Sequence, residues 1–253
     1  MAKSKCWLKP NEPPLGLDTW RRRTRCGQKM QSYVVVLLCC TVCAKELKFM
    51  HVTKTGGTSI ERAGMKLNVS WGKFHTFTEK AYGFWHDLPT RKNPHLIRKY
   101  DWFTVVRNPF TRVVSEFWCP WGGRGRPNEV NISSFNAFVA QQVTSQHHRF
   151  AGHWTPQAKY LSVLSFGPDM LLRVLHFESL RDDFARLCRL SGLPAVDLPT
   201  LNVQTHSFNV SHFMPDTLNL IRNAYELDFE IFGYSGDPDK ALLVKPFTTM
   251  KAS

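Results

Sequence analysis

Phe49-Met50-His51-Val52-Thr53-Lys54-Thr55-Gly56-Gly57-Thr58-Ser59-Ile60 is the stretch on which the reading of this chain turns. Leu47, Phe49, Met50 and Val52 supply the apolar character of a buried strand, with Lys48 and His51 as polar interruptions. Gly56 and Gly57 lack a Cβ, so the backbone there can bend sharply and approach a ligand closely. Thr58 and Ser59 follow at a helix start, where unsatisfied N–H groups and the helix dipole favour an anion. Lys54 adds a positive charge at the mouth. A strand, a lysine, a glycine turn and two hydroxyls describe a loop that binds phosphate or sulfate through Lys54, Thr55, Gly56, Gly57, Thr58 and Ser59.

The kind of loop decides the chemistry. In nucleoside triphosphatases the lysine follows the glycines, and dinucleotide folds need G-x-G-x-x-G. Here the lysine precedes the glycines, and neither of those patterns occurs. A second strand-to-helix junction comes later in the chain. Trp102-Phe-Thr-Val-Val106 is an apolar run ending in Arg107, and Asn108-Pro109 opens a helix, with proline suited to its first turn. That helix carries Thr111, Arg112, Ser115 and Glu116. Arg107 leaves the strand end and Ser115 sits about two turns into the helix, so both can face one phosphate.

The two junctions together resemble the sulfotransferases that use 3′-phosphoadenosine-5′-phosphosulfate (PAPS). Lys54-Thr-Gly-Gly-Thr-Ser59 is similar to their 5′-phosphosulfate loop, and Arg107-Asn-Pro-Phe-x-Arg-x-x-Ser115 to their 3′-phosphate element. Looser similarities extend the resemblance over about residues 47–236. His153-Trp-Thr-Pro-Gln-Ala-Lys-Tyr-Leu161 resembles a segment on the acceptor side of the cleft in Golgi carbohydrate sulfotransferases; as a core anchor it would use Trp154 and Tyr160. Leu171–Leu180 reads as a buried strand running into a helix, and resembles a family strand that ends in Phe-Glu-x-Leu. Glu178 is then a structural or capping residue. Leu198–Asn202, a terminal helix over 216–229 and Glu230–Tyr234 resemble the family's closing segment.

Alternating strands and helices argue a parallel sheet with helices on both faces. The resemblance implies one P-loop-type α/β domain over residues 45–236, with a C-terminal tail over 237–253. It also implies transfer of a sulfuryl group from PAPS to a hydroxyl of a glycan, with no metal required. Lys54 and the loop would hold the 5′-phosphosulfate, while Arg107 and Ser115 would hold the 3′-phosphate. Such a transfer needs a base for the acceptor proton, and histidine suits neutral pH. Between the two junctions, His75 is the first candidate and His86 the second. Alternative functions are a tyrosine-protein sulfotransferase and a nucleotide- or glycan-binding module without turnover.

The net charge of +13 suits a doubly phosphorylated donor and a polyanionic acceptor. Nucleic acid is set aside, because no zinc-finger, basic-zipper or RNA-recognition signature occurs. Residues 1–32, with the run Arg21-Arg-Arg-Thr-Arg25 and no apolar periodicity, read as a basic disordered tail. Residues 33–44 are apolar and uncharged but shorter than a spanning helix. They can be a signal sequence, a short anchor with its basic flank in the cytoplasm, or a buried strand. Length and flank favour targeting or anchoring, hence Golgi membrane or lumen; a buried strand would instead imply the cytoplasm. Sequons at Asn68, Asn131 and Asn209 agree with a secretory lumen. Cys119 and Cys188 either pair or remain as buried thiols. Trp118–Pro127 is a loop whose tryptophans and arginines can contact a sugar chain. His147, His148 and His153 do not read as metal ligands, since no carboxylate or cysteine cluster accompanies them in sequence.

Overall fold

Of the four strands among the described residues, three run parallel, in the order of the chain. In the computed structural model β1 (Glu46–Met50), β2 (Tyr100–Val106) and β3 (Leu171–His176) lie side by side, and β4 (Thr248–Lys251) pairs antiparallel with β3. The structure describes residues 45–72, 86–88, 94–124, 130–145, 152–201, 207–241 and 247–251. The N-terminal tail, the apolar segment 33–44 and His75 therefore lie outside the described residues. Among the described residues, no helix is long and apolar enough to cross a membrane.

Period-two alternation divides each strand between two cores. Met50, Val52, Trp102, Val106, Leu172 and Val174 face one cluster, and Leu47, Phe49, Phe103, Val105 and Leu175 face the other. Two covered faces explain why these strands read as continuous apolar runs. On one face α1 (Gly57–Lys66) buries Ile60 and Ala63 and α5 (Leu180–Leu190) buries Phe184 and Leu187, both against the sheet. Gly64 lets α1 approach Trp71, whose ring lies 2.8 Å from where a Cβ would stand. On the other face lie α3 (Pro109–Phe117), which follows the short α2 (Pro94–Ile97), and then α4 (Ile132–Thr144), α6 (Pro215–Ala224) and α7 (Glu226–Ile231).

Two expectations need correction. Thr248–Lys251, read from sequence as part of a tail, closes the sheet: four residues with little apolar pattern become a strand because β3 offers them an open edge. The terminal helix is broken at Tyr225 (φ −119°), which ends α6 and caps α7. Its buried ring packs with that core, and its hydroxyl donates to the Trp154 carbonyl at 3.0 Å. Cys119 and Cys188 are both free and buried. The three sequon asparagines are exposed. Asn131 caps α4 through Ser134 N at 2.8 Å, and Asn209 caps a short 3₁₀ turn through Ser211 N.

Candidate active site

In an open sheet, ligands collect at the carboxyl ends of parallel strands. Here β1 leads into His51–Gly56, β2 into Arg107 and β3 into Phe177–Ser179, and all three exits border a cleft of about 910 Å³. Lys54, Gly56, Gly57, Thr58, Ser59, Arg107, Ser115 and His86 line it. Of the residues expected at the site and described, only Thr55 is absent from its lining. Its side chain is buried, and the hydroxyl donates to the Val52 carbonyl at 2.8 Å, which closes the turn from inside. A smaller cavity of about 490 Å³, near Gln142, Trp154 and Tyr225, contains none of the residues of the two strand-to-helix junctions.

The side of the cleft formed by the Lys54–Ser59 loop is shaped by the backbone. Lys54 (φ +62°) and Gly56 (φ +86°) both adopt left-handed conformations, which reverse the chain between β1 and α1. Gly57 is required for a different reason: a Cβ there would lie 2.1 Å from the His51 Nε2. The glycine makes room for an imidazole of the protein as well as for a ligand. Helix α1 begins at Gly57 with no side-chain cap, so its first turn keeps the anion-attracting character of a bare helix end.

Arg107 is held in place by groups of the protein itself. Its Nη1 donates to the Lys54 carbonyl at 3.2 Å, its Nε to Thr111 Oγ1 at 3.0 Å, and its guanidinium lies 4.2 Å from the centre of the Phe177 ring. Burial lowers its pKa to about 10, which leaves it charged at neutral pH. Gln157 clamps its backbone from the other side: Arg107 N donates to Oε1 at 2.9 Å, and Nε2 donates to the Arg107 carbonyl at 2.8 Å. The buried carboxylate of Asp228 in turn accepts from the Gln157 N and Nε2. Glu178 accepts from Asn108 N at 2.8 Å and from the Tyr234 hydroxyl at 2.9 Å, which is the structural role read from sequence.

The opposite side carries groups that the sequence reading passed over. His51 and His153 line the cleft with His86. The ring of His86 lies 4.3 Å from that of His51 and 6.1 Å from that of His153, both edge to face. Each outer histidine is paired with a buried carboxylate: His51 Nδ1 with Glu61 Oε1 at 2.8 Å, His153 Nδ1 with Glu116 Oε2 at 2.6 Å. Burial pushes the Glu116 carboxyl up, but the His153 hydrogen bond, the Arg112 charge and the Thr53 hydroxyl together hold it below the ordinary carboxylate value. Glu116 is therefore an acceptor only, and Nδ1 of His153 donates to it.

Arg112, fully buried, ties the two sides together. It donates to the Thr53 carbonyl (3.1 Å), Thr53 Oγ1 (3.1 Å) and the Thr155 carbonyl (2.9 Å), and it neighbours Glu116 Oε1 at 3.5 Å. The His153–Leu161 segment is divided between the cleft and the core. His153 faces the cleft, whereas Trp154 and Tyr160 are core residues. Tyr160 donates to the His86 carbonyl at 2.6 Å, and Trp154 Nε1 donates to the Gly122 carbonyl at 2.6 Å. Thus one segment fixes the backbone of His86 and the loop bearing Trp121. The Trp121 ring is 73% exposed at the cleft.

The sequence-based ground for setting metal binding aside changes for His153, while His147 and His148 lie outside the described residues. Among the described residues His153 does have a cysteine and a carboxylate beside it, Cys119 and Glu116, all three buried. Sequence spacing hid the cluster because His153 comes from a separate segment. Glu116 is in the last turn of α3, and Cys119 lies two residues beyond its end.

A family model described as "Sulfotransferase family" matches residues 42–235. No curated protein matches the chain.

Proposed function

The chain belongs to the sulfotransferase family, and from that premise we propose that it transfers a sulfuryl group from PAPS to a hydroxyl of a carbohydrate. The observation that carries this reading is the single cleft at three strand ends. It holds Lys54, the uncapped start of α1, Arg107 and Ser115 together with His86. On this reading Lys54 and the first turn of α1 bind the 5′-phosphosulfate, and the clamped Arg107 with Ser115 binds the 3′-phosphate that distinguishes PAPS from ATP. The acceptor oxygen attacks sulfur while His86 takes its proton. The bond from sulfur to the 5′-phosphate oxygen breaks, and the charge left on that phosphate is stabilised by groups already in place. The exposed ring of Trp121 offers the apolar face of a sugar ring a platform beside this centre. The sequons and the apolar residues 33–44, read as a signal or anchor segment, support a reaction in the secretory pathway.

The test is transfer of labelled sulfate from PAPS by the full chain to a panel of glycans and tyrosine peptides, with Lys54→Ala, His75→Ala and His86→Ala alongside. Transfer to a glycan, abolished by Lys54→Ala and His86→Ala, is expected. Transfer to tyrosine peptides alone would replace the acceptor assignment. Loss with His75→Ala and not with His86→Ala would move the base. Failure to bind PAPS would overturn the reaction.

A further inference from the structure

We propose that Glu116, Cys119 and His153 form a binding site for a divalent cation of the zinc class on the acceptor side of the cleft. One ligand atom from each lies within 4.8 Å of the other two, and all three residues are buried. A thiolate, an imidazole and a carboxylate form a donor set that favours zinc over magnesium or calcium, which take oxygen ligands. Cys119 and His153 border the cleft. Three protein ligands there leave a fourth position facing it, as in zinc sites that keep one position open.

Zinc at about 2.0–2.3 Å from tetrahedral ligands sets those ligands about 3.3–3.8 Å apart. The ligand atoms, which lie within 4.8 Å of one another, have to draw in by at most about 1.5 Å, a distance that a rotation of the Cys119 side chain covers. The 2.6 Å hydrogen bond between His153 Nδ1 and Glu116 Oε2 opens as the ion replaces the shared proton. That proton passes to the far ring nitrogen, so the imidazole binds neutral, and the Cys119 thiol releases its proton to solvent. The thiolate and carboxylate then match the two charges of the ion. Thr53 and Arg112 hold the other carboxylate oxygen at 2.5 and 3.5 Å, which fixes Glu116 with Oε2 toward His153. Arg112 also repels the ion, so the site binds more weakly than a closed structural zinc site. An ion here sits beside His86 and occupies acceptor space, which makes it an inhibitor of the reaction proposed above. Binding itself does not depend on that reaction.

The experiment uses the full chain with Cys6, Cys26, Cys39, Cys40 and Cys43 each replaced by serine, stripped with a chelator and titrated with Co²⁺. One equivalent should produce a thiolate-to-cobalt charge-transfer band that Zn²⁺ abolishes. Cys119→Ser should remove the band and weaken Zn²⁺ binding by about tenfold or more, while Cys188→Ser keeps both. Cys119→Ala serves as a second variant, with unchanged thermal melts of the metal-free forms as the folding control. No band in the parent, or a band that survives loss of Cys119, overturns the site.

Discussion

The two sides of the cleft are built in different ways. The side proposed for the donor is nearly a local object: Lys54 to Ser59 are consecutive, and Arg107 lies just ahead of α3 with Ser115 about two turns into it. The side proposed for the acceptor is a long-range object. His86 is held by Tyr160, His153 by Glu116, and the Trp121 loop by Trp154, each pair separated by 32 to 74 positions. A phosphate is a small, constant target that one strand-turn-helix unit can satisfy. An acceptor surface has to be assembled from several excursions of the chain, and the buried network around Arg112 performs that assembly here.

The most severe way to break the distinction is to remove its hinge. Arg112 contacts both sides, and Arg112→Ala leaves Glu116 as a buried charge without its guanidinium. Breaking a buried pair in this way costs about 3–5 kcal/mol. Chemical denaturation of the two proteins should show this loss with little change in m-value. A cost below about 1 kcal/mol, the range of surface pairs, would mean that the two sides are held together by packing alone.

Lys54→Ala tests the donor side by itself. Losing one preorganised stabilising group at a charge-developing centre lowers turnover about 10²–10³-fold. The thermal melt should hardly move, because Lys54 is only half-buried. Single-turnover transfer measures the first quantity and calorimetry the second. A large drop in stability would show that the left-handed Lys54 serves the turn more than the ligand.

Tyr160→Phe tests the acceptor side through a residue that lies behind it. The hydroxyl donates to the His86 carbonyl at 2.6 Å, and loss of a buried hydrogen bond of this kind costs on the order of 1 kcal/mol. A positioning role predicts turnover lowered about five-fold at unchanged PAPS affinity, with the pH profile of kcat displaced. An equal loss of stability without any effect on turnover would reduce Tyr160 to a core residue.

The same asymmetry explains what was legible before the structure. Both junctions, the three parallel strands and the helices after them follow from local pattern, because apolar runs, glycines and Asn-Pro caps act on their immediate neighbours. The glycine pair was legible as a turn, but the need for Gly57 was not, since the imbalance it relieves is the approach of His51. His51 itself looked like an interruption in a strand; its partner Glu61 lies on α1, and only helix phase reveals that they meet. Glu116 and Arg112, four apart on α3, carried the one local signal of a buried pair. His153 had none, as its partner sits 37 positions earlier. Strand β4 was missed because four residues without apolar alternation owe their shape to an edge of β3.

Acidity sharpens the comparison at smaller cost. Glu116 has a folded-state pKa below its ordinary 4.5, so its ion-paired form stabilises the fold fully above that value. The contribution is lost as pH falls from about 4.5 through the lowered folded value, when the folded state must take up the proton. Thermal melts across that range should fall less steeply for Glu116→Gln than for the parent protein, although the variant starts lower. Parallel curves would mean that other carboxylates govern acid unfolding.

The smallest expected effect lies at the rim. Trp121 is 73% exposed, so its removal costs the fold almost nothing, and its loop remains tied by the Trp154 bond to Gly122. If the ring is a platform for a sugar, Trp121→Ala forfeits a face-on aromatic contact, on the order of 0.5–1.5 kcal/mol. That is a rise of about two- to twelve-fold in KM for the glycan, with kcat and the PAPS affinity unchanged, and Trp121→Phe should recover most of it. The split matters because a platform binds ground state and transition state alike, which moves KM and leaves kcat. A fall in kcat instead would place Trp121 against the reacting hydroxyl, and an unchanged KM would return the ring to the solvent.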